Sequence, residues 1–382
     1  MRMARSYLLL LLLIPFFAAA APEARAQCSP PYLVDQQFPT SGPMETRWRL
    51  CWQPVAGSGL VITAAYFQKS PGSPLIRLFW DARVAEIFVP YHSGSPRFLD
   101  VKQFGFSLFP LNLNDCPAAR GGVLLGPNTE VCKEVHDRGL AWKDDNNVRR
   151  GEELVLWSTL DAGNYNYVIE WTFRDDGVVM GRVGATAQNL SIQPYDAHMH
   201  GPIWRLDIDF NGFAGDSAYL GTHKENLPLP TATDSMTLIA TESGQQWDPL
   251  AFTSIHVQDS TLKNARGNAS AYHLIPMRYG TPRHKEPYTK NDFWVTRYNP
   301  AEMFPDLLSS YISPPQNISS TDIVVWYYGG AHHLVRDEDG HIINDNGFPV
   351  WTGEAHIMWN GFMLMPHNLF DKTPLCPTSL CP

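Results

Sequence analysis

Beyond residue 27 the chain lacks any apolar run close to the roughly 18 residues that a membrane-spanning helix needs. It also lacks long segments of 3.6-residue apolar periodicity closed by helix caps, so a helical architecture is not expected. Lysine and arginine nowhere cluster into a phosphate footprint, which argues against nucleic acid as a partner. No internal repeat and no low-complexity linker breaks the chain after residue 27. One large domain or two ordinary ones fit what remains. Cysteine is scarce, six in 382 residues, and none lies within the first 27.

The one strongly apolar stretch is at the start. Arg2 and Arg5, the run Tyr7 to Ala21 and the triplet Ala24-Arg25-Ala26 form the three parts of a secretory signal peptide. Residues 1–26 are read as that signal, with the mature chain starting near Gln27 and the protein secreted or periplasmic. Removing them leaves 26 basic against 37 acidic groups. An acidic surface favours the approach of cations over anions. An even number of cysteines in an exported chain implies disulfides, and local pairing suggests Cys28–Cys51, Cys116–Cys132 and Cys376–Cys381 among about 15 arithmetical possibilities.

What is abundant is β signal. Leu154 to Trp157, Tyr167 to Phe173, Trp204 to Phe210 and Ile323 to Tyr328 are short β-branched and aromatic runs bounded by turns such as Asp175-Asp176-Gly177 and Asn211-Gly212. The 31 prolines and 28 glycines supply the punctuation of a many-stranded sandwich. The fold class read from this pattern is all-β, a large antiparallel β-sandwich. Residues 27–74 carry fewer strand signals and two cysteines, and read as a disulfide-stapled N-terminal extension. Residues 75–375 form the main domain and 376–382 a tail.

His198-Met199-His200 concentrates the chemistry. Alternate residues of a strand share a face, so both imidazoles aim at one point and make half of a transition-metal site. Candidate third ligands are His332, His333, His341, His356 and His367. His332-His333 stands at the exit of the Ile323 to Tyr328 strand, and only one of two adjacent residues can face the pair. Three imidazoles with open positions suit zinc for hydrolysis or copper for redox chemistry. A zinc hydrolase would want a general base, and no glutamate lies beside these ligands.

Ala85-Glu86-Ile87-Phe88-Val89-Pro90-Tyr91, Phe98-Leu99-Asp100, Asn164-Tyr165-Asn166-Tyr167, the histidine pair, Asn291 to Tyr298, Asp322 to Arg336 and Gly361 to Asp371 follow one another in an order that resembles the catalytic domain of the copper amine oxidases. The resemblance implies that family's large β-sandwich and the oxidation of primary amines by dioxygen to aldehydes, with release of ammonia and hydrogen peroxide. By position it implies copper on His198, His200 and His333, and topaquinone formed from Tyr165, with Asn164 beside it. Asp100 matches the base that takes the substrate's α-proton, Tyr91 the tyrosine on the quinone oxygen, and Phe98 an aromatic gate. Asp207, Asp209 and Asp322, with the carbonyls of Ile208 and Ile323, match a calcium site. Cys116 and Cys132 match a family disulfide, and a homodimer is implied. The chain departs from the pattern at Asn166, where the family has Asp or Glu, and at Asp161, where it has Thr. The spans from Asp100 to Tyr165 and from Tyr165 to His198 are shortened. A secreted copper-binding protein without turnover, on the same fold, is the alternative reading.

Overall fold

A computed structural model describes residues 28–91, 97–162, 165–188, 198–226, 231–277, 281–333, 340–345 and 348–372, together with Pro374. Residues 1–26, read from the sequence as a signal peptide, and Asn164, Cys376 and Cys381 lie outside the described residues. Two antiparallel sheets dominate, one of ten strands and one of twelve. The main path of the ten-stranded sheet runs Leu33–Phe38, Thr46–Val55, Gly59–Gln68, Ile76–Pro90, His198–Ile208, Ile323–Tyr328, Phe293–Arg297 and Ser243–Gln245. The stretch read as an N-terminal extension thus enters this sheet as its first three strands. Its Cys28–Cys51 bond is present, as is Cys116–Cys132. No helix among the described residues is long and apolar enough to cross a membrane.

Side-chain alternation explains how the sheets meet. In the twelve-stranded sheet, Tyr167, Ile169, Trp171 and Phe173 of the strand Tyr165–Arg174 are all fully buried at every second position. From the other sheet comes His198–Ile208, whose eleven residues are all buried. Its neighbour Ile323–Tyr328 is likewise buried throughout, a β-branched and aromatic run suited to an enclosed strand. Between the layers Trp171 meets Trp204 edge-on at 5.2 Å, and Trp204 meets Phe362 at 5.2 Å. Such aromatic pairs contribute about 0.5–1.5 kcal/mol each beyond their area burial. Gly181 makes room for this contact, because a Cβ there would stand 2.8 Å from the Phe362 ring and 3.2 Å from Trp171. The sandwich therefore holds His198–Ile208 as a rigid central strand, and whatever that strand projects is fixed in place.

Candidate metal centre and active site

Strand register assembles the three histidines. The short strand Ala331–His333 pairs antiparallel with the start of His198–Ile208, setting His198 opposite His333 and Met199 opposite His332. By the two-residue alternation His198, His200 and His333 share one face. All three are buried, whereas His332 is exposed, which resolves the choice between the adjacent histidines. One nitrogen from each lies within 4.8 Å of the other two. His198 Nε2 stands 3.4 Å from His333 Nδ1.

A tyrosine hydroxyl closes the group. Tyr165 Oη lies 2.8 Å from His198 Nε2 and 3.2 Å from His333 Nδ1, while its ring meets the His200 ring edge-on at 4.4 Å. Tyr165 begins the strand Tyr165–Arg174, so it reaches the histidines from the opposite sheet.

His200 shows what the cluster can hold. The Tyr167 hydroxyl donates to Asp100 Oδ2 at 2.7 Å and lies 2.9 Å from His200 Nδ1. With its one proton given to Asp100, Tyr167 accepts from His200 Nδ1–H. That tautomer leaves the Nε2 lone pair bare. His200 Nε2 is buried and has no hydrogen-bond partner among the described residues. Burial first, then the nearby His198 and His333, hold the His200 pKa well below its usual range, so the ring is neutral. Three imidazoles around one point, one of them presenting an orphaned lone pair, fit a borderline divalent transition metal such as copper.

Asp100 is the acidic end of this chain of contacts. Burial raises its pKa to about 7 against the opposing hydrogen bond from Tyr167. It opens the short helix Asp100–Phe104, which has no side-chain cap at its own N-cap position. Glu86, fully buried, takes over that role from the preceding strand. Its carboxylate accepts from the N–H groups of Ile87 at 2.9 Å, Val101 at 2.7 Å and Lys102 at 3.2 Å. Two of the first turn's orphan donors are thereby satisfied, fixing the helix start that sets Asp100 against Tyr167. A cavity of about 500 Å³ adjoins the site, lined by Tyr91, Phe98, Asp100, Phe104, Phe106 and Tyr165 among others. The Tyr91 ring packs 4.4 Å from that of His198 and 5.8 Å from that of Phe98. A larger hollow of about 1000 Å³ near Lys69 and Arg149 has no histidine or tyrosine in its wall among the described residues.

An acidic group lies at the far end of the same strand. Carboxylate oxygens of Asp207, Asp209 and Asp322 fall within 4.8 Å of one another. Burial comes first and neighbouring carboxylates second in raising these groups: Asp207 well above its usual value, Asp209 to about 8 and Asp216 to about 10. Both carboxylate oxygens of Asp207 and one of Asp209 are buried without a hydrogen-bond partner among the described residues. Arg77 bonds the other Asp209 oxygen at 3.2 Å. Orphaned oxygens converging in this way suit a hard cation. Ile208 ends the strand that holds Asp207, directly before Asp209, and Ile323 opens the neighbouring strand directly after Asp322.

Residues 128–379 match a family model described as copper amine oxidase, enzyme domain. The chain belongs to the copper amine oxidase family. It is 25% identical to the copper-containing amine oxidase gamma 2 of Arabidopsis thaliana, over 86% of this chain and 58% of that relative. To the primary amine oxidase of Pisum sativum it is 23% identical, over 84% of this chain and 57% of the other. The chain thus spans less than three fifths of the length of these curated relatives. Among solved structures it superposes on a copper-containing benzylamine oxidase from Hansenula polymorpha with a TM-score of 0.68, at 19% identity, over 86% of this chain and 60% of that one. The lysyl oxidase of Pichia pastoris gives 0.68 at 17% identity, over 93% and 56%. These structures share its all-β architecture.

In this copper amine oxidase domain Tyr91, Phe98, Asp100 and Tyr165 line one cavity, and Tyr91 and Tyr165 contact His198, which lies with His200 and His333 in the histidine group. His367 lies elsewhere, beside His256 and His273. Tyr167, Glu86 and Asp216 are additions that sequence reasoning misses. For Tyr167 a signal exists, since it stands two residues from Tyr165 and must share its face. For Glu86, a carboxylate inside an apolar strand is the signal. The two departures from the family pattern turn out to be neighbours: Asn166 and Asp161 are paired in register on adjacent strands.

Proposed function

We propose that this domain oxidises primary amines to aldehydes outside the cytoplasm, consuming dioxygen and water and releasing ammonia and hydrogen peroxide. Copper would be held by His198, His200 and His333, and the organic cofactor would be topaquinone formed from Tyr165. That pair supplies an electrophilic carbonyl for the amine and a route for two electrons to dioxygen. The observation that carries the reading is the Tyr165 hydroxyl set within hydrogen-bond distance of two of the three histidines.

The remaining roles follow from contacts. Asp100 takes the proton from the substrate's α-carbon. Its burial makes the carboxylate more basic than usual, and the cavity beside it gives the amine a place to bind. Tyr167 orients both Asp100 and His200 through one hydroxyl. Tyr91, packed on His198, is assigned to the quinone oxygen, and Phe98 to the mouth of the cavity. Asn164 is assigned to the same cofactor by its place before Tyr165. Calcium is assigned to Asp207, Asp209 and Asp322, with the carbonyls of Ile208 and Ile323. The disulfides suit an exported chain.

Tyr165→Phe tests the assignment. Copper content should stay at the wild-type level while amine-dependent peroxide formation falls to background. Retained peroxide formation would refute Tyr165 as the cofactor's source.

A further inference from the structure

The twelve-stranded sheet carries a second group of three imidazoles, on its face away from the core. His256 and His273 stand opposite one another in register on the adjacent strands Ser254–Lys263 and Ala269–Pro276. His367 ends the next strand, Phe348–His367, two residues after Met365, the partner of His273. The flanking Ile255, Val257, Tyr272 and Leu274 are buried in the core, so alternation turns His256 and His273 to the opposite face. Three neighbouring strands therefore each deliver an imidazole to one place.

The geometry is that of a ligand set. One nitrogen from each ring lies within 4.8 Å of the other two. Ring centroids of His256 and His273 are 3.5 Å apart, and those of His273 and His367 are 4.6 Å apart. His273 Nε2 faces His367 Nδ1 directly. His256 is the buried member. Its Nε2 contacts Ser254 Oγ at 2.9 Å, whereas its Nδ1 is buried with no hydrogen-bond partner among the described residues. Gly221 on the adjoining strand leaves space for this ring, because a Cβ there would overlap His256 Nε2.

We propose that His256, His273 and His367 form a second transition-metal site, separate from the buried centre and open to solvent on its outer side. Its chemistry is that of a borderline divalent cation, Zn²⁺ or Cu²⁺, with three imidazole ligands and a water-filled outer position. Metal–nitrogen bonds of about 2.0–2.1 Å place tetrahedral ligand nitrogens about 3.3 Å apart. His367 is exposed and can swing outward to reach that spacing around an ion.

The test uses the full-length protein, copper-loaded and dialysed, titrated with ZnCl₂ by calorimetry and then analysed for total metal. The expected result is one zinc equivalent beyond the resident copper. His367→Gln, a surface substitution, and His256→Asn should each weaken that uptake by at least about 10–100-fold, leaving copper content unchanged. Repeating the titration with CuCl₂ shows which cation the site holds more tightly. A wild-type protein that takes up no further equivalent of either ion, or a His367→Gln variant with undiminished uptake, would overturn the proposal.

Discussion

Tyr167 links Asp100, the proposed base, to His200, a proposed copper ligand. Its single hydroxyl proton goes to Asp100, which obliges His200 to present Nδ1–H to Tyr167 and leaves Nε2 bare for the proposed copper. Removing the hydroxyl acts on both ends. At the Asp100 end, the hydrogen bond from Tyr167 favours the charged form, so its loss raises a pKa already near 7. In Tyr167→Phe the acid limb of the kcat/KM profile, lying near pH 7 in the wild type, should move to higher pH. At the His200 end the ring loses the partner that fixes its tautomer, and copper affinity should fall about 10–100-fold, measured by competition with a chelator. An unmoved acid limb would remove Tyr167 from this role.

At the scale of elements, one pair of neighbouring segments carries a metal-type site at each end. The strand His198–Ile208 starts at the histidines and runs into Asp207 and Asp209. Its antiparallel neighbours supply His333 opposite His198, and Val324 opposite Asp207 just after Asp322. Nine residues of strand at about 3.3 Å each separate the two sites by roughly 30 Å. The acidic end has a definite pH signature. Asp207, Asp209 and Asp216 have folded pKa values above their unfolded ones, so the folded state binds more protons. Without a cation, stability therefore falls as pH rises from about 4 towards the raised values of about 8 for Asp209 and about 10 for Asp216. Calcium should reverse this loss, adding about 2.7 kcal/mol at a concentration of 100 Kd, with a larger gain at pH 8 than at pH 5. Thermal melts with added CaCl₂ check this, and Asp209→Asn should flatten the response.

For the whole molecule, the sandwich was legible because its strands alternate so plainly. Tyr167, Ile169, Trp171 and Phe173 announce a core face without any knowledge of what they pack on. Which strands would be neighbours was not legible, and much of the site depends on that. The residues alone leave His332 and His333 open, the resemblance favours His333, and the register that sets His333 opposite His198 gives the physical reason. Glu86 caps a helix across 15 residues of chain at Val101, a contact no local pattern encodes. Asp216 joins the acidic group through folding alone. His256 and His273 look like isolated histidines until the register sets them side by side. The family resemblance, resting on ordered motifs, located Asp100, Tyr91 and Tyr165, which composition and spacing alone leave mute. The paired Asn166 and Asp161 are this chain's own feature, and they sit next to the tyrosine whose conversion the account requires. The most direct measurement is therefore on Tyr165 itself. Wild-type protein loaded with copper in air and treated with phenylhydrazine should yield a coloured adduct on the peptide containing Tyr165. An unmodified tyrosine in that peptide, from protein shown to hold copper, would contradict the oxidase reading and leave a copper-binding protein in its place.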